Sequence, residues 1–207
     1  MAQKESNFTN MVLTLMVISL VSASALAFIN KVTKEPIAKS VMAKKVEAIK
    51  QVVPEFNNDP IAEMQTIELA DGKLEIYPAK KDGKLVGTAV KTFTDKGFSG
   101  HIELMIGLDT AKSIVNISVL QQKETPGLGT KMAEPLFKNQ FNGKNPSSFK
   151  LKVKKDGGDV DAITAATISS RAFCDAIQKV YDNIQEGGKK WTKWKISPKD
   201  LFVKIQF

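Results

Sequence analysis

At 207 residues, 43% hydrophobic and 25% charged, the chain is long enough to bury a sizeable core and too apolar for general disorder. Its net charge of +8 is carried almost wholly by lysine, Arg171 being the only arginine; this argues against sequence-specific nucleic-acid reading and for a solvated face, an anionic lipid surface or an acidic partner. One cysteine, Cys174, and one histidine, His101, exclude an internal disulfide, an iron–sulfur centre and a thiolate zinc site, so no metal set and no catalytic residue is identified and any redox chemistry falls to an organic cofactor.

Residues 1–10 form a short polar tail. Residues 11–29 then carry no charge at all, and at 1.5 Å per residue such a run crosses a hydrocarbon core of about 30 Å. The run is longer than the apolar region of a signal peptide, although Ala23-Ser24-Ala25 resembles a processing site. The expectation is one uncleaved transmembrane helix over 11–30. Lysines near the anchor lie mostly on its C-terminal side (Lys31, Lys34, Lys39, Lys44 and Lys45 against Lys4), and by themselves they place the following domain in the cytoplasm.

A second helix is expected over 33–53, within a stalk or linker of 31–60. Thr33 is its cap, Pro36 belongs to its first turn, an apolar stripe runs from Ile37 to Val53, and Pro54 stops it. Short strand-like runs follow at 64–69, 74–79, 85–93, 101–108 and 114–120, separated by turn clusters such as Asp71-Gly72 and Asp82-Gly83. They predict a twisted antiparallel meander. After it come a short helix over 132–141, a strand over 149–153 and a turn at 156–159. A long helix follows to about Gln185, with Phe173, Ile177, Val180, Tyr181 and Ile184 at helical spacing. Gly187-Gly188 ends it, and a Trp191/Trp194 tail (191–207) closes the chain.

Two stretches have a composition that secondary structure alone does not require. In residues 124–129, Glu-Thr-Pro-Gly-Leu-Gly, proline fixes one backbone angle and the glycines free others. Such a loop either makes an ordinary tight turn or brings bare N–H groups close to a flat or anionic ligand. Residues 161–170, Asp-Ala-Ile-Thr-Ala-Ala-Thr-Ile-Ser-Ser, place hydroxyls where the long helix begins. They either cap it or hold a phosphate at its positive end.

Together the two stretches resemble the FMN-binding domain family, whose members include the G subunit of the Rnf electron-transport complex and the C subunit of the sodium-translocating NADH:quinone reductase. The family pattern Asp-x-x-Ser/Thr-Gly-Ala-Thr-x-Ser/Thr falls on Asp161, Thr164, Thr167 and Ser169, and the loop near the flavin on Glu124, Thr125, Gly127, Leu128 and Gly129. The resemblance implies an α+β FMN-binding domain over 61–190. It implies FMN joined to Thr167 by a phosphoester, put there by a flavin transferase. It further implies a single-pass subunit of a membrane-bound Rnf-type ion-translocating ferredoxin:NAD+ oxidoreductase. That subunit relays electrons among the other membrane and peripheral subunits, with its flavin domain on the extracytoplasmic side of the cell membrane. The shorter chain length favours the Rnf member over the quinone-reductase one. A flavin-free membrane-anchored binding protein is the alternative of another class. Where the family has a glycine, this chain has Ala165, a change that matters if the position needs a positive φ.

Overall fold

The computed structural model describes residues 7–186; residues 1–6 of the expected N-terminal tail, Gly187-Gly188 and the C-terminal tail with its two tryptophans lie outside these residues, whereas residues 8–10 of the N-terminal tail are already helical. Two compact units divide at Lys45/Val46. The first is helical, part of α1 (Phe8–Val52), and its apolar side chains from Met11 to Ile29 are exposed. This is the one helix among the described residues long and apolar enough to cross a membrane. The expected break between anchor and stalk is absent, because α1 runs on with Pro36 in its interior. Thr33 does not cap a new helix; its hydroxyl donates back to the Ile29 carbonyl at 2.8 Å, an interior helix contact.

The second unit is built on five antiparallel strands in chain order: β1 (Gln65–Leu69), β2 (Gly72–Lys81), β3 (Lys84–Gly97), β4 (Gly100–Leu108) and β5 (Ile114–Gln121). The meander read from the sequence is present. Strand alternation gives the sheet two faces. Leu74, Ile76, Val90, Ile102, Leu104 and Ile106 face the principal core with α3 (Thr167–Glu186), which supplies Phe173, Ile177 and Val180. Tyr77, Ala79, Ala89 and Met105 face the other way and receive Ala48, Ile49 and Val52 from the end of α1. The approach there is backbone on backbone, since a Cβ at Gly107 would stand 1.7 Å from the Val52 carbonyl oxygen. The Asn116 amide donates to the Gln51 carbonyl at 3.0 Å, satisfying one acceptor that the helix end leaves open.

Between β5 and α3 the chain is less regular than its apolar spacing suggested. The helix expected over 132–141 is three short pieces: a 3-10 turn at Gly129–Ala133, α2 (Pro135–Lys138) and a second 3-10 turn at Asn139–Phe141. Their buried aromatic side chains, Phe137 and Phe141, pack edge-on and tilted against Phe173. The strand expected over 149–153 does not form; one parallel bridge joins Val153 to Val160. Leu151 and Val153 are buried in the core as loop residues, so their alternation records burial rather than sheet pairing.

Candidate functional site

Of the two roles open to the hydroxyls at the start of α3, capping is not the one they take. The first helical hydrogen bond runs from the Ser170 N–H to the Ala166 carbonyl, which makes Ala166, without a side-chain acceptor, the cap residue. Ser170 turns inward instead: its hydroxyl accepts the Ile163 N–H at 2.9 Å and donates to the Ala166 carbonyl at 3.0 Å. Among the described residues no protein acceptor meets the N–H groups of Thr167, Ile168 or Ser169. The chain enters this turn through Ala165 at φ +60. The left-handed conformation costs a residue with a Cβ about 1–2 kcal/mol. The position where the family pattern has glycine is thus one of positive φ in this chain, which makes the turn with a methyl group.

A cleft of about 310 Å³ opens at this helix start. Thr167, Ile168, Ser169, Ala165 and Ala166 line it from one segment, and Glu124, Thr125, Leu128 and Gly129 from the other. The two stretches singled out in the sequence, some forty positions apart, thus share one wall. The Thr167 side chain is half-buried at the first helical position, and its hydroxyl has no protein partner among the described residues.

At its tip the loop makes the ordinary tight turn, while the N–H groups of Thr125 and Gly129, which line the cleft, have no protein acceptor among the described residues. Gly127, at φ +75, donates its N–H to the Thr130 hydroxyl, and the Leu128 N–H goes to the Thr125 carbonyl. The turn closes on itself and Gly127 does not line the cleft. Glu124 is 5% exposed and serves a different purpose. One carboxylate oxygen accepts the Ser169 hydroxyl at 2.7 Å, the other the Ser99 N–H at 3.1 Å. Gly129 makes room for it, as a Cβ there would come within 2.7 Å of both the Glu124 side chain and the Ser169 oxygen. Ser169 therefore braces the helix start from beneath.

Asp161 and Thr164 fall elsewhere. They line a neighbouring hollow of about 340 Å³ with Lys131, Leu136 and Gln140. Asp161 is exposed there, paired with Lys154 at 2.7 Å, and its N–H donates to Gln140. Arg171 does not face the cleft but makes a two-pronged pair with Asp156, both bonds 2.7 Å, which holds the Asp156 carboxyl below its ordinary range. Cys174 is 2% exposed and its thiol is pushed up to about 12 by burial, as its place on the helix's apolar stripe implied. One cleft residue escaped the sequence reading. Phe98, 67% exposed, sits between Gly97 and Gly100 in the two-residue turn joining β3 to β4. An aromatic residue flanked by glycines in so short a turn has nowhere to be buried, and that was the available signal.

A sequence model described as the FMN-binding domain matches residues 97–182, which contain every residue of this cleft. The chain is 35% identical over 178 residues to the G subunit of the ion-translocating oxidoreductase complex of Erwinia tasmaniensis, covering 80% of this chain and 84% of that one. It is 33% identical over 190 residues to the G subunit of the Na(+)-translocating ferredoxin:NAD(+) oxidoreductase complex of Acetobacterium woodii, covering 84% and 91%. Among solved structures it is similar to Shewanella oneidensis NqrC at 20% identity and a TM-score of 0.44, over 62% of this chain and 63% of that one. With identities of 30% to 35% over most of both chains, this chain belongs to the family of G subunits of the ion-translocating oxidoreductase (Rnf) complexes.

Proposed function

We propose that this chain is the FMN-bearing subunit of a membrane-bound, ion-translocating Rnf-type oxidoreductase, with the flavin phosphate esterified to the hydroxyl of Thr167. The carrying observation is the combination at that residue. A half-buried hydroxyl without a protein partner stands at the first position of a 20-residue helix, beside three backbone N–H groups with no protein acceptor among the described residues. A phosphate on this oxygen lies where helix-start N–H groups and the positive end of the dipole stabilise negative charge. The residues present fit the group. The loop supplies an apolar wall in Leu128, and Glu124 and Ser169 support the helix start from below.

When bound, FMN supplies the electron-carrying chemistry, and the chain's part is to hold, orient and shield it. No side chain has to move a proton, which suits a cleft whose one carboxylate is buried and engaged by Ser169 and Ser99. A covalent tether prevents loss of the cofactor on the extracytoplasmic side, where we place the domain. The other subunits of the complex are its electron partners, a flavin transferase is its maturation partner, and the exposed apolar segment of α1 is its contact with lipid.

The test is intact mass of the full chain coexpressed with an active flavin transferase, before and after phosphodiester cleavage. The expected result is one FMN adduct, lost in Thr167→Ala and kept in Thr167→Ser, with the domain folded in both. A wild-type chain without the adduct, or a Thr167→Ala chain that retains it, would overturn the assignment.

A further inference from the structure

Phe98 is the most exposed of the apolar residues lining the cleft, and nothing in the core accounts for it. It is not a loose side chain on a loose loop. Its turn closes β3 onto β4 through the Gly97–Gly100 pair, with Gly100 at φ +93. The turn is also tied down from below, because Ser99, the next residue, gives its N–H to the buried Glu124 carboxylate. The second oxygen of that carboxylate takes the hydroxyl of Ser169, two positions after Thr167. A single buried side chain thereby links the turn carrying Phe98 to the helix start carrying Thr167. Two glycines keep the space for it: a Cβ at Gly97 or at Gly129 would stand 2.6 Å from a Glu124 oxygen.

We infer that Phe98 is the aromatic wall against which the planar ring of a cofactor held at Thr167 rests, and that Glu124 is the residue that positions it. The inference rests on the FMN reading above and extends it to a residue outside both motif stretches. An aromatic face offers a flat ring system dispersion contact and favourable offset or edge-on geometry. A phenyl group does so without a polar atom of its own, so it excludes water from one side of the ring and leaves the ring's hydrogen-bonding edge alone.

The experiment uses the full-length chain coexpressed with the transferase, and intact mass first establishes that each variant carries one flavin. Tryptophan in contact with a flavin quenches its emission. Phe98→Trp is therefore expected to lower native flavin fluorescence several-fold, with emission returning to the wild-type level on denaturation. Leu85→Trp, near the start of β3 at the opposite end of that strand from Phe98, should leave native emission unchanged. Phe98→Ala is expected to increase quenching by iodide, Phe98→Tyr to restore protection from it, and Glu124→Gln to behave as a weaker Phe98→Ala. A flavin-loaded Phe98→Trp chain that emits like wild type, together with unchanged iodide access in Phe98→Ala, overturns the wall while leaving the Thr167 assignment standing. Absence of flavin from the wild-type chain overturns both.

Discussion

At residue scale the feature with the clearest physical cost is Ala165. Its φ of +60 belongs to the left-handed region, and its side chain is exposed, so the methyl group gains little from packing. Replacing it with glycine relieves about 1–2 kcal/mol of backbone strain and costs about 0.4–1 kcal/mol through a more flexible unfolded chain. Ala165→Gly should therefore stabilise the domain by roughly 0.5–1 kcal/mol, read as a higher urea midpoint at unchanged slope. An unchanged or lower midpoint would mean that the turn is not held in this conformation. The family pattern had marked this position from sequence, but only the backbone angle says why glycine is wanted there. The same holds for Glu124. Its place in a Glu-Thr-Pro-Gly-Leu-Gly stretch suggested proximity to a ligand; it does line the cleft, but its burial and its two hydrogen bonds make it a brace there. Asp161 and Thr164 stand in the same motif as Thr167 yet open into a different hollow, because the chain turns sharply at Ala165 between them. Linear spacing does not carry that turn.

At the scale of elements, the strands were legible because alternation and turn residues coincide. Lys81-Asp82-Gly83-Lys84 marks one hairpin and Asp71-Gly72 another, and the side chains between them alternate between two buried faces. The helices were less so. Pro36 and the polar residues around it suggested a boundary, yet α1 runs through them. The loop between β5 and α3 buries Phe141, Leu151 and Val153 at spacings that imitate regular structure. The clearest consequence of element packing is at Gly107, where the end of α1 meets β4 at backbone distance. A methyl group there would fall 1.7 Å from the Val52 carbonyl oxygen, with Val52 itself fully buried. Neither backbone is a flexible side-chain end able to yield, so Gly107→Ala has to push the helix off the sheet and open the cluster of Ile49, Tyr77, Ala89 and Met105. A loss of at least about 2–3 kcal/mol is expected, at the upper end for overpacking. The check is chemical denaturation beside Gly83→Ala, a turn position where an added methyl group meets no neighbouring atom although φ is +76. Equal losses at the two sites would show that the α1 end does not seat against this strand.

At the scale of the whole molecule, the side of the membrane on which the flavin domain sits divides the two lines of evidence, and the chain's chemistry makes the matter answerable. Lysines flanking the anchor argue for the cytoplasm, and the proposed covalent flavin argues for the opposite side. The only cysteine in the sequence is Cys174, buried on the core side of α3 with its thiol pushed up to about 12 by desolvation. At neutral pH it is both sheltered and almost wholly protonated, and the thiolate is the reactive form. The wild-type chain should therefore be silent to a maleimide while folded. Leu85 is 40% exposed in the turn-proximal start of β3, far in sequence from both cleft segments. A Leu85→Cys chain carries a single accessible thiol on an otherwise unreactive background. In intact spheroplasts a membrane-impermeant maleimide should label Leu85→Cys fully, with no gain on lysis, and leave the wild-type chain unlabelled. Labelling that appears only after lysis would place the domain in the cytoplasm, and the lysine count would then be the better guide to topology than the flavin.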